Sequence, residues 1–138
     1  MQEKCRVIFF FQDEYFGFDD ATYAALRLLR ILSNTQKPLS ELLADLPPIF
    51  STPEIRVHVA EEEKSKMVQK AHSYLSSRFE YLDIDGIRAK MHDGWGLVRA
   101  SNTGPELIIR AEGPSQEKLE AIKKELNHAL EPLSIPWI

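Results

Sequence analysis

Three observations predict an α+β fold for most of this chain. From about residue 53, short apolar runs alternate at the period of a half-buried strand; glycine-containing turn dipeptides divide them; and two helical stripes flank the series. The resulting order, β-α-β-β-β-β-α, places strands in hairpin succession with two helices to cover one face. We therefore expect residues 53–138 to form a two-layer domain, with a four- to five-stranded, mainly antiparallel sheet covered by two helices. A strand-helix-helix fragment over residues 1–48 precedes it, and Pro47-Pro48 marks the boundary.

In chain order, residues 6–11 contain Val7-Ile8-Phe9-Phe10-Phe11, an aromatic and β-branched run that predicts a buried strand. After a turn at Gly17, Asp19 or Asp20 caps a helix over 20–33, in which Ala24, Ala25, Leu28, Leu29 and Leu32 recur at helical spacing. A shorter helix is expected from Leu39 to Ala44, with Pro38 at its start. Ile55, Val57 and Val59 then alternate with Arg56 and His58, as in a strand with one buried face. Over residues 62–77, Met67, Val68, Ala71 and Leu75 form one helical stripe. Strands follow at 80–84, 87–91 and 96–100, divided by Asp85-Gly86 and Asp93-Gly94, dipeptides that favour tight turns. A last strand, 107–112, leads through Pro114 and Ser115 into a helix with Leu119, Ile122, Leu126 and Leu130 buried.

Composition narrows the function. A chain with 43% hydrophobic and 28% charged residues can bury a core, and its length suits one domain plus part of another. The net charge of −4 supplies no general pull toward nucleic acid or anionic lipid, so an anion site has to be local. No basic stripe with interleaved aromatics points to nucleic-acid binding. The five-residue apolar run is too short to cross a bilayer, and a single cysteine, Cys5, fits a reducing compartment, so a cytoplasmic location is expected.

One connection concentrates polar chemistry. Arg99, Ser101, Asn102, Thr103 and Gly104 lie between two predicted strands, in Arg99-Ala100-Ser101-Asn102-Thr103-Gly104-Pro105. A phosphate needs donors converging from several directions, and this loop offers a guanidinium fork, two hydroxyls, an amide and backbone N–H groups beside a glycine. On spacing alone an ordinary polar turn with a surface arginine explains the same residues. If it binds, the isolated loop should hold phosphate at about millimolar strength.

The segment Gly94-Trp95-Gly96-Leu97-Val98-Arg99-Ala100-Ser101-Asn102-Thr103 closely resembles the phosphate-binding loop of the α-D-phosphohexomutases, in particular the bacterial phosphomannomutase/phosphoglucomutase type. Ser51-Thr52-Pro53-Glu54-Ile55 resembles the start of the fourth domain in that family, and Tyr15-Phe16-Gly17-Phe18-Asp19-Asp20 the segment after its sugar-binding loop. The resemblance implies that residues 53–138 are the C-terminal phosphate-binding domain and residues 1–48 a remnant of the third, sugar-binding domain. It implies Arg99, Ser101, Asn102 and Thr103 as phosphate contacts, with Gly104 at the loop's edge where many members carry a side chain. The partner it implies is a hexose phosphate, mannose or glucose 1- or 6-phosphate. Catalysis in the family draws on a phosphoserine loop and a Mg²⁺ in other domains, so this chain is expected to be inactive alone and to bind no cofactor or metal itself. Where the family's sugar loop would fall, the chain reads Glu3-Lys4-Cys5-Arg6-Val7-Ile8, placing Lys4 and Arg6 at the sugar-contacting positions.

That replacement motivates an alternative, a free-standing truncated paralogue acting as a phosphosugar-sensing or assembly module. In either case the apolar side of helix 20–33 needs a covering surface, and self-association or a partner chain there is expected. Asp83-Ile84-Asp85-Gly86 reads as a turn rather than a metal site. His58, His72, His92 and His128 lack ligand spacing, and Cys5 lacks an acid–base partner. Trp95 reads as core or loop support.

Overall fold

A computed structural model of the chain describes residues 8–137, which divide into two compact units between Pro47 and Pro48. Most of the expected strand at 6–11 and the altered segment at 3–8, including Lys4, Cys5 and Arg6, lies outside the described residues. Within them, Ile8, Phe9 and Phe10 are more than half exposed, and only an isolated antiparallel bridge between Phe10 and Asp19 forms. The expectation of a buried strand is corrected here. An apolar run becomes a strand only when a neighbour satisfies its backbone, and the described part of this unit offers no second strand.

The first unit is otherwise organised by Asp20. Its carboxylate accepts from the Tyr23 N–H at the start of α1 (Ala21–Ser33) and from the Tyr15 hydroxyl at 2.6 Å. These hydrogen bonds, the tyrosine hydroxyl first, hold the carboxyl below the usual carboxylate range. Tyr15 also stacks on Tyr23 at 3.9 Å between ring centres, fixing the approach to the helix. Leu26, Leu29 and Ile31 of α1 remain more than half exposed. The expected helix at 39–44 shortens to a 3₁₀ turn at Leu39–Glu41, followed by further i to i+3 turns. Between Pro38 and Pro47 there are too few residues to offset the cost of nucleating an α-helix.

In the second unit all strand pairs are antiparallel. β1 (Phe50–Ser51) and β2 (Ile55–His58) share one edge of β6 (Glu106–Gly113), and the order continues through β5 (Gly94–Ala100), β4 (Ile87–Met91) and β3 (Glu80–Leu82). Six strands thus fill five positions. The short β1 escaped sequence reading because two residues have no period. Thr52 joins it to β2: its N–H donates to the Ala111 carbonyl at 2.9 Å and its buried Oγ1 accepts from the Ala111 N–H at 3.1 Å. Pro53, with no N–H to contribute, follows where the ladder breaks.

Helices α2 (Glu61–Ser76) and α3 (Gln116–Leu130) cover one face. From the sheet that face presents Ile55, Val57, Ile87, Ala89, Met91, Val98, Leu107, Ile109 and Ala111, all buried. The predicted stripes supply the other side: Ala71 and Leu75 from α2, with Met67 and Val68 packed alongside, and Leu119, Ile122, Leu126 and Leu130 from α3. Ser115 caps α3 by accepting from the Lys118 N–H.

The turns differ in detail from expectation. Met91 pairs with Gly94, so the two loop residues are His92 and Asp93, both at positive φ (51° and 63°). Gly94 belongs to the strand, where a Cβ would stand 2.1 Å from the Glu112 carbonyl oxygen. Its glycine answers a close approach rather than a turn. Gly86 does both: its φ is +87°, and a Cβ would lie 2.3 Å from the Val98 oxygen and 2.7 Å from the Arg99 Cα.

Among the described residues no helix is long and apolar enough to cross a membrane.

Candidate phosphate-binding loop

Residues 101–105 connect β5 to β6, the most extensively paired hairpin of the sheet, so the loop rises from a rigid base. The base is closed by the Ser101 N–H donating to the Glu106 carbonyl and the Glu106 N–H donating to the Gly104 carbonyl, each at 2.9 Å. Beside them the Val59 N–H at the end of β2 donates to the Pro105 carbonyl. The connection is therefore held by three segments of chain.

The five sequence-predicted residues fall into two groups. Alternation along β5 puts Arg99 on the sheet face away from the helices, with Trp95 and Leu97, while Val98 points into the core. Ser101 turns inward and is 3% exposed. Its Oγ accepts from the Thr103 N–H at 3.3 Å and lies 3.4 Å from the Thr103 hydroxyl, a local bond that shapes the turn. Asn102 and Thr103 are exposed, and among the described residues no hydrogen bond to the Asn102 side chain or N–H is seen. A Cβ at Gly104 would meet only the Glu106 carboxylate oxygen, at 3.9 Å, so a side chain fits at this edge of the loop.

Two participants were not singled out from the sequence. Asp85, read as part of a plain turn, places its carboxylate 3.3 Å from Nη1 of Arg99. The close approach at Gly86 presses that turn against the Arg99 backbone, so the pairing follows from the packing. Lys64, in the first turn of α2, donates to the Ser101 carbonyl at 3.0 Å and the Gly104 carbonyl at 3.2 Å, and pairs with Glu61 at 2.7 Å. Neither contact has a local sequence signal: 37 residues separate Lys64 from Ser101, and the packing of α2 against β5 and β6 brings them together.

Trp95, expected as core or loop support, lies outside the core, with the Arg88 guanidinium 4.2 Å from its ring centre on the same open face. His72 accepts or donates at 3.1 Å to Asp83 of the β3–β4 turn. Among the described residues no group of three or more His, Cys, Asp or Glu side chains could hold a metal ion.

The profile of the phosphoglucomutase/phosphomannomutase C-terminal domain matches residues 54–129, and that of the family's alpha/beta/alpha domain III matches residues 7–50. The chain belongs to the phosphoglucomutase/phosphomannomutase family. It is 39% identical over 122 residues to a phosphomannomutase/phosphoglucomutase of Pseudomonas aeruginosa, covering 88% of this chain and 26% of that protein. It is 41% identical over 124 residues to a phosphoglucomutase of Neisseria meningitidis, covering 88% and 27%. A probable phosphoglucosamine mutase of Methanosarcina acetivorans is 39% identical over 103 residues, covering 75% and 23%. An X-ray structure of a phosphoglucomutase/phosphomannomutase family protein from Burkholderia thailandensis superposes with a TM-score of 0.75 at 35% identity, over 92% of this chain and 28% of that one. The chain thus spans about a quarter of the length of the relatives it matches.

Proposed function

We propose that the loop from Arg99 to Gly104 holds the phosphate of a hexose phosphate, as the C-terminal phosphate-binding region of a phosphohexomutase that moves a phosphoryl group between hydroxyls of one sugar. The observation that carries this reading is that Arg99, near the end of β5, and the exposed Asn102 and Thr103 follow one another within a few residues at the end of one closely paired hairpin. One Arg99 nitrogen contacts Asp85, and among the described residues no further hydrogen bond to its five-donor fork is seen. Family membership supports the same assignment.

In this role the region positions rather than reacts. Gripping the phosphate that is not transferred holds the sugar's other end in line and places fixed donors near a dianion, without any proton transfer by the loop. The region is inactive by itself on this reading, and its action is cytoplasmic. The relatives carry names that refer to mannose, glucose and glucosamine. A grip on phosphate alone suits that range, because it is indifferent to the sugar.

The test is an NMR titration of the 138-residue chain with glucose 6-phosphate, mannose 1-phosphate and inorganic phosphate. Shifts confined to residues 99–104, similar for all three, are expected at about millimolar ligand. No shift at that concentration, or shifts centred elsewhere on the sheet, refutes the assignment.

A further inference from the structure

Lys64 reaches this loop from the helical layer, and its environment is costly. The side chain is 12% exposed, yet it carries a full charge. Such a cation is tolerated only when its hydrogens are bonded, and all three are: to the Ser101 carbonyl, the Gly104 carbonyl and the Glu61 carboxylate. Two of these three partners are backbone carbonyls at either end of the segment 101–104. The ammonium is therefore a clamp that draws both ends of the loop to one point.

The clamp has a consequence on the opposite side. A trans peptide is planar, and its N–H points away from its C=O. Fixing the Ser101 carbonyl toward Lys64 therefore turns the Asn102 N–H away from Lys64, toward the exposed side of the loop, where it meets no hydrogen-bond acceptor among the described residues. The Gly104 carbonyl belongs to the peptide before Pro105, which has no N–H to present. Lys64 thus orients one donor, the Asn102 N–H.

We propose that Lys64 is a positioning residue of the phosphate loop: by holding the Ser101 and Gly104 carbonyls it presents the Asn102 N–H as a preformed donor to a phosphate oxygen, without touching the anion itself. This rests on the phosphate-binding reading of the loop. Glu61 fits an indirect role, because it pairs with Lys64 and offsets its charge.

The experiment follows the Asn102 amide by NMR while inorganic phosphate is added to the wild-type chain, Lys64→Met and Glu61→Gln. Lys64→Met keeps an apolar stem of similar length; it should weaken phosphate binding about tenfold, the scale of one hydrogen bond to an anion, and shrink the shift of the Asn102 amide at saturation. Glu61→Gln leaves both carbonyl bonds in place and should keep that amide's response, with affinity within about threefold of wild type; this arm stands even where Lys64→Met does not fold. Tightening beyond that in Glu61→Gln overturns the proposal, since it means the lysine acts on the anion by its own charge. Unchanged affinity and unchanged Asn102 response in a folded Lys64→Met also overturn it. A wild-type chain that shows no phosphate response overturns the phosphate reading itself, and the positioning role with it.

Discussion

Replacing Asp85 with asparagine should strengthen phosphate binding. The carboxylate stands 3.3 Å from Nη1 of Arg99, with the two side chains 59% and 27% exposed. A partly exposed pair of this kind is worth about 0.2–1 kcal/mol, which an arriving phosphate forfeits when it takes over the guanidinium. A second effect has the same sign. With the guanidinium between them, carboxylate and phosphate would sit roughly 8 Å apart, where a single charge facing a dianion repels by about 1 kcal/mol in water. Asp85→Asn removes both effects, so affinity for inorganic phosphate should rise about eightfold to thirtyfold at low ionic strength. The gain should shrink near 0.15 M salt, where the screening length falls to about 8 Å. Amide shifts of residues 99–104 report the dissociation constant directly, and the unchanged size of asparagine keeps the turn at Gly86 intact. Weaker binding would refute the reasoning, because it would mean that Asp85 holds Arg99 in its working position instead of competing for it. Unchanged affinity at both salt levels would remove Arg99 from the site.

Leu126→Ala empties a fully buried position on α3 directly over Gly96 of β5, and should cost about 3–4 kcal/mol in urea unfolding of the second unit; a loss below about 1 kcal/mol would mean the helix is not seated there. Gly86→Ala introduces a Cβ at positive φ against the Val98 oxygen, so it should destabilise the β3–β4 turn and shift the Arg99 amide even without ligand; a spectrum unchanged at Arg99 contradicts the close packing. Asp20 carries a depressed pKa, so its capping of α1 is complete above the ordinary aspartate value of about 3.9 and is lost as the pH falls through the lower folded value. Helical circular dichroism should hold down to about pH 4 and fall below it, and Asp20→Asn should remove that acid step; a helix lost already at mildly acidic pH contradicts the assignment.

Much of this protein was decided by sequence alone, and where it was, the reason is local or periodic. The α3 stripe of Leu119, Ile122, Leu126 and Leu130 is buried as its spacing requires, and Ser115 and Asp20 cap because a side-chain oxygen beside a helix start has its partner three residues away. Alternation in Ile55–His58 and Ile87–Met91 chose the buried face of each strand without reference to the rest of the chain. The loop of Arg99, Ser101, Asn102, Thr103 and Gly104 was visible for the same reason: its candidate groups are neighbours in sequence. Tertiary structure decided the rest. Residues 8–10 have the composition of a strand, but a strand is a property of a pair, and among the described residues this unit forms only an isolated bridge. Gly94 looked like a turn residue until the Glu112 carbonyl appeared beside it. Lys64 and Asp85 reach the loop from separate elements, across 37 and 14 residues, because helix packing and a neighbouring hairpin bring them there. Periodicity records which face of an element is buried; it carries no record of which distant polar group will meet another, since that depends on the register and docking of whole elements.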